Sequence, residues 1–214
     1  MGLLREHKLT DYIDRYNLKY YFETGTGKAE CLEYALRYPF EEYWTVDIDE
    51  DLIEESFNKF KNMSKNINLL IGKSTEILDE YVPQIPKESP TLFYLDAHFP
   101  GADFGMASYG DEPDLDKRLP LRSELELIVK GRDVSDDVFV IDDLRVYEDG
   151  PFETGNWAER SLYGGDGIEF IEKLFEDTHY VVRSYNKQGF VMLFPVNRDI
   201  SEESENLVVG AVDE

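Results

Sequence analysis

Tyr20-Tyr21-Phe22-Glu23-Thr24-Gly25-Thr26-Gly27 joins a strand-like run to a glycine turn. Three aromatic residues suit the half-buried pleated surface of a strand. They run into an acid and two glycines. Glycines one residue apart permit a tight turn and let a ligand approach the backbone closely. A helical pattern then extends from Lys28 to Tyr38 and stops at Pro39. A strand that turns through glycines into a helix aims the free N–H groups of that helix at the turn.

The same strand-then-helix order repeats along the chain. A second strand, Tyr43 to Ile48, precedes a helix with Ile53, Phe57 and Phe60 on one face. A third, Ile67 to Ile71, precedes a helix from Ser74 carrying Ile77, Leu78 and Tyr81, which Pro83, Pro86 and Pro90 break. The fourth, Leu92 to Leu95, leads into a long loop, 99–120. A helix with Leu121, Leu125 and Ile128 follows, closed by Gly131. The fifth, Val138 to Ile141, leads into a second long loop, 144–167, and a helix with Ile168, Ile171, Leu174 and Phe175. Tyr180–Tyr185 and Phe190–Phe194 are separated only by Asn186-Lys187-Gln188-Gly189, which predicts an antiparallel hairpin. The expectation is an α/β fold, Rossmann-like and doubly wound. Its seven-stranded sheet is mostly parallel and closes with a C-terminal antiparallel hairpin. Residues 1–198 read as one domain opening with a helical segment, 1–17, and residues 199–214 as an acidic tail.

The 214 residues are 42% apolar and include 14 Tyr and 13 Phe, enough for a substantial core. The net charge of −24 repels phosphate backbones and anionic lipid. No nucleic-acid or membrane partner is therefore expected. Cys31 is the single cysteine, so no internal disulfide forms and a reducing compartment fits. No apolar run approaches the ~20 residues of a membrane span. The N-terminus lacks a signal-peptide core and has Glu6 where a myristoylation signal wants Ser or Thr. A soluble, cytoplasmic protein is expected. A homo-oligomer is left open: the segment through Asn17 could pack on a neighbour or close over the site.

In an open parallel sheet, ligands lie at the carboxyl ends of the strands. Those ends are Glu23-Thr24-Gly25-Thr26-Gly27, Val46-Asp47-Ile48-Asp49, Gly72-Lys73-Ser74, Asp96-Ala97-His98 and Asp142-Asp143. A phosphate-cradling P-loop needs Gly six residues before its Lys. Phe22 and Ile67 stand there for Lys28 and Lys73. A dinucleotide fingerprint needs a third Gly where Glu30 stands. Glu23 would repel a pyrophosphate but suits a cationic, phosphate-free nucleoside. Asp47 can accept both hydroxyls of a ribose.

These segments, in order and spacing, resemble class I S-adenosylmethionine-dependent methyltransferases over roughly Tyr20 to Pro195. Glu23-Thr24-Gly25-Thr26-Gly27 looks like motif I of that superfamily, and Asp47 matches its ribose-holding acid. Gly72-Lys73-Ser74 looks like the segment whose Ser lies beside the adenine in catechol-type enzymes. The resemblance implies a cofactor site of Glu23, Thr24, Gly25, Gly27, Asp47, Ile48, Ser74 and Asp96. Within the superfamily the closest image is the cation-dependent O-methyltransferases of the macrocin and aminocoumarin sugar type. That image implies magnesium held by Asp96, Asp142 and Asp143, with a base two residues beyond the first ligand. His98 stands there, where those enzymes more often have Asp. Asp96 and His98 are thus the catalytic candidates, S-adenosylmethionine and Mg2+ the cofactors, and a small molecule or sugar the methyl acceptor.

Simpler roles stand beside these. Ser74 could cap its helix, Asp142-Asp143 could be solvated residues at a strand end, and His98 could be a hydrogen-bonded loop residue. The two long loops form a natural lid. Phe99, Phe104, Tyr109, Tyr147, Trp157 and Tyr163 could line a pocket. Arg118, Arg122, Arg145 and Arg160 could hold an anionic substrate. An enzyme resembling cephalosporin hydroxylase, or a non-catalytic S-adenosylmethionine-binding module, would share the same scaffold.

Overall fold

The computed structural model describes residues 4–102, 104–157 and 167–196. Arg160, Tyr163 and the acidic tail lie outside the described residues. The strands are β1 (Tyr20–Thr24), β2 (Glu42–Asp47), β3 (Ile67–Ile71), β4 (Thr91–Leu95), β5 (Val138–Asp142), β6 (His179–Ser184) and β7 (Phe190–Pro195). The helices are α1 (Leu9–Tyr16), α2 (Glu30–Ala35), α3 (Glu50–Phe60), α4 (Ser74–Tyr81), α5 (Leu115–Arg118), α6 (Leu121–Gly131) and α7 (Glu169–Phe175).

All seven strands join one sheet in the order β3-β2-β1-β4-β5-β7-β6. β1 pairs in parallel with both β2 and β4, and β5 continues in parallel from β4. Only β7 runs against its neighbours, filling the gap between β5 and β6. The chain therefore winds outward from β1 in one direction, returns, and winds outward in the other. The crevice between β1 and β4 is the topological switch point, where a doubly wound sheet opens a binding site at its carboxyl edge.

Alternating side chains divide the interior into two cores. Tyr21, Tyr43, Leu92, Tyr94, Val138 and Val140 face one side, covered by Leu9, Tyr12 and Tyr16 of α1 and Leu32 and Ala35 of α2. Phe22, Val46, Phe93, Leu95, Phe139 and Ile141 face the other. Leu78 of α4, Leu125 and Ile128 of α6, and Ile171 and Phe175 of α7 cover them. Burial on both faces explains why β4 and β5 read as unbroken apolar runs. The N-terminal segment lies on its own sheet: the Tyr12 hydroxyl reaches Met192 Sδ at 3.8 Å, and Tyr16 stacks on Phe194.

Two boundaries move in a way that shapes the site. β1 runs on through Thr24, because Glu23 and Thr24 keep register with Thr45 and Val46 on one side and Tyr94 and Leu95 on the other. α2 begins at Glu30 rather than Lys28: Ala29 is left-handed at φ 56°, and its N–H bonds Thr26 O at 2.8 Å. The turn thus has five residues of its own before the helix starts. Among the described residues, no helix is long and apolar enough to cross a membrane.

Candidate active site

The carboxyl ends of β1, β2 and β4 border a cleft enclosing about 960 Å³ of empty space, part of it open to solvent. Gly25, at φ 82°, crosses from β1 to the turn while its N–H bonds Val46 O at 2.9 Å. A Cβ there would stand 2.7 Å from the backbone oxygen of Asp96. The β1 and β4 ends approach each other this closely only because the residue is glycine.

Asp47 ends β2 and organises the loop. Its Oδ2 accepts from Gly27 N at 2.8 Å and its Oδ1 from Asp49 N at 3.0 Å. Burial raises its pKa, while these two N–H donors work against the rise. Each oxygen keeps lone-pair capacity toward the cleft. Ile48, the next residue, lines the cleft with an exposed side chain (38%).

Glu23 also lines the cleft yet is buried to 1% exposure. Its Oε2 accepts from Thr45 Oγ1 at 2.8 Å, and Thr45 Oγ1 lies 2.6 Å from Thr26 Oγ1. A chain of hydroxyls therefore joins the buried acid to the glycine turn. Burial pushes the Glu23 carboxyl up to about 8, against the hydrogen bonds from Thr45 and Tyr21. At neutral pH it is mostly an uncharged acid that a neighbouring cation would ionise.

The β4 and β5 ends bring Asp96, His98 and Asp143 together, with one ligand-type atom from each lying within 4.8 Å of the others. His98 Nε2 is 2.8 Å from Asp143 Oδ2 and 3.7 Å from Asp96 Oδ1. Arg145 Nε donates to Asp143 Oδ1 at 3.0 Å. Burial acts to raise the Asp143 pKa, but the His98 hydrogen bond and charge, with Arg145, outweigh it and leave it lowered. Asp96 goes the opposite way: burial first, then the nearby Asp142, raise it well above the usual range.

Asp142 does not join that triad. It is buried (1% exposed), its Oδ2 accepts from the Tyr94 hydroxyl at 2.6 Å, and its Oδ1 accepts from Asp143 N at 2.8 Å. The donor set implied for magnesium is thus divided. Asp142 is buried and does not line the cleft, Asp143 is paired with an imidazole and a guanidinium, and Asp96 remains with His98. Magnesium favours oxygen donors and retained waters, whereas an imidazole in the set suits softer ions. The residues present do not fit magnesium.

The loop after β4 reaches back over the glycine turn. The Phe104 ring sits against Gly27, and Lys28 Nζ lies 5.5 Å from its centre. Lys73 bonds Asp114 at 3.3 Å, tying that loop to the end of β3. Phe99, Tyr109 and Trp157 meet in one aromatic cluster joining the two long loops, with ring centres 4.6–5.3 Å apart. Arg145 lies 4.9 Å over Trp157.

Two residues escaped the sequence reading. Glu124, on α6, is buried beside Ser74 and Thr24. Burial pushes it up to about 7, against the hydroxyls of Ser74 and Thr24 and the charge of His98. Its signal was its place: with Leu121, Leu125 and Ile128 it completes the buried stripe of its helix. Cys31, expected to be core, is buried but also lines the cleft. Nothing local to its sequence marks that.

No protein-family model matches the chain, and no curated protein matches it in sequence. Solved structures match it in fold. The SAH-bound methyltransferase PaMTH1 of Podospora anserina is 15% identical at a TM-score of 0.56, covering 92% of this chain and 80% of that one. TomG of Streptomyces achromogenes is an O-methyltransferase involved in tomaymycin synthesis and solved with SAM. It is 12% identical at a TM-score of 0.58, covering 91% and 81%. The Bacillus cereus O-methyltransferase, in complex with SAH, is likewise 12% identical at 0.58, covering 91% and 82%. The chain has the Rossmann-like fold of these proteins, with its antiparallel β5-β7-β6 end.

Proposed function

We propose that this chain is an S-adenosylmethionine-dependent methyltransferase, directed to an oxygen of a small molecule or sugar. One observation carries the reading. At the switch point of the sheet, a glycine turn, a ribose-reaching carboxylate and a buried acid border a single cleft that offers no phosphate-binding Lys motif. Methyltransferases on the same fold hold SAM or SAH. Gly25 and Gly27 let the cofactor approach the backbone, with Thr24 at the strand end before them. Asp47 accepts the ribose hydroxyls, and Ile48 and Ser74 lie beside the adenine. Glu23 and Asp96 face the cationic methionine end.

The chemistry needs alignment and a proton acceptor more than covalent help. The acceptor oxygen attacks the methyl carbon in line with the departing sulfur. The new C–O bond forms as the C–S bond breaks, its electron pair passing to sulfur and leaving a neutral thioether. The acceptor's proton goes to His98, whose Nε2 pairs with Asp143 at 2.8 Å, so its charged form is balanced there. No step is routed through magnesium. The acidic surface supports a small-molecule rather than a nucleic-acid acceptor.

Calorimetry with S-adenosylmethionine tests the reading. The wild type should bind, and Asp47→Ala should weaken binding about tenfold or more through loss of charge-assisted hydrogen bonds. Unchanged affinity in the variant would remove Asp47 from the site. No binding by the wild type would remove the proposal.

A further inference from the structure

Asp143 stands beside Asp96 and Asp142 at one edge of the sheet, where a withdrawn carboxylate needs a counter-cation. The geometry points to an internal answer: we propose that Arg145 is the resident counter-cation of this rim, and that the site holds its shape without a divalent ion.

The observations run in one direction. Asp143 follows the last residue of β5 in a left-handed turn (φ 57°), which swings its carboxylate away from Asp142 and toward His98 and Arg145. Its two oxygens are engaged separately, Oδ2 by His98 at 2.8 Å and Oδ1 by Arg145 Nε at 3.0 Å. Arg145 is held from behind. Its guanidinium stacks on Trp157, and its own backbone carbonyl accepts from Trp157 N at 3.3 Å. Its amide bonds Gln188 O at 3.1 Å, so the hairpin loop fixes where this side chain begins. At 15% side-chain exposure, with Asp143 at 9%, the pair is largely withdrawn from solvent, and screening by salt is weak there. A divalent ion approaching Asp143 would meet a fixed positive charge and compete with two charge-assisted hydrogen bonds. Asp142 is turned inward toward Tyr94, 1% exposed and absent from the cleft lining, so it offers an ion in the cleft no open oxygen.

The consequence for chemistry rests on the methyltransferase reading: transfer would proceed in the presence of a chelator. The charge arrangement itself does not rest on that reading, and the two are separable by experiment. Mn2+ is titrated into the full-length chain and followed by electron paramagnetic resonance, with Mg2+ as competitor. The wild type is expected to show no saturable binding. Arg145→Gln, which removes the charge and keeps most of the side chain's length, is expected to gain affinity by about tenfold or more, the scale of a close charge interaction. S-adenosylhomocysteine affinity of the wild type, by calorimetry, should be equal in EDTA and in Mg2+. Saturable Mn2+ binding by the wild type, displaced by Mg2+, overturns the proposal. So does a folded Arg145→Gln variant with no gain. If that variant does not fold, the wild-type titration still decides. Failure of S-adenosylhomocysteine to bind at all, with no Mn2+ binding, would sink the proposed function and leave the charge assignment standing.

Discussion

Gly25 has little freedom to change. Its φ of 82° is left-handed, and an added Cβ would meet Asp96 O at 2.7 Å, a backbone atom that cannot swing aside. Gly25→Ala should therefore destabilise the fold by about 1–3 kcal/mol and abolish ligand binding, measured by urea denaturation and calorimetry. A variant of wild-type stability would mean that the turn relaxes freely. Glu23 gives a pH signature. Its folded-state pKa of about 8 stands above the ordinary 4.5, so the native state holds a proton that the unfolded chain releases. This favours folding at low pH, and the advantage is lost as pH rises from about 4.5 through 8. Glu23→Gln should flatten the fall in melting temperature across that window; an unaltered slope would contradict the assignment. Gly25, Asp47 and Glu23 stand out in the sequence because each lies at or beside a strand end, β1 for Glu23 and Gly25 and β2 for Asp47. The division between Asp142 and Asp143 was not read, although strand alternation carries it: Asp142 shares the face of Val138 and Val140, under Tyr94.

At the scale of elements, the end of the sheet opposite the cleft is fastened by a buried ion pair. Arg132, just past α6, meets Asp137 at 3.0 Å, while Asp137 accepts from Thr91 N at 2.8 Å and its carbonyl lies 2.9 Å from His179 Nε2. Asp137 thus joins the starts of β4 and β6 to that of β5, β4 through its carboxylate and β6 through its backbone carbonyl. Arg132→Ala leaves that acid buried without its partner and should cost about 3–5 kcal/mol in urea denaturation. Ligand affinity of the folded fraction should hold, since the cleft lies at the other end of the strands. A loss below about 1 kcal/mol would show the pair to be dispensable. The strands and most helices were legible from apolar runs and periodicity. The late start of α2 was not, because it depends on Ala29 adopting a left-handed conformation that only the packed turn enforces. The burial of Glu124 was legible in principle, from a helical stripe that places an acid between leucines.

At the scale of the molecule, 46 acidic residues against 22 basic ones make self-repulsion a standing cost of compactness. Salt screens that repulsion over about 10 Å at 0.1 M. The melting temperature should rise when NaCl is raised from low ionic strength to physiological levels; a fall would mean that attractive surface pairs dominate. The doubly wound order of the sheet was legible from the repeated strand-helix alternation. The insertion of β7 between β5 and β6 is a matter of long-range pairing that no local residue announces.

Everything functional follows from a nucleoside lying across the carboxyl ends of β1, β2 and β4. Crystals grown with S-adenosylhomocysteine should show it there, with the ribose hydroxyls on Asp47 and the amino group toward Glu23. Density elsewhere on the molecule, or a cleft that stays empty at saturating ligand, would contradict it.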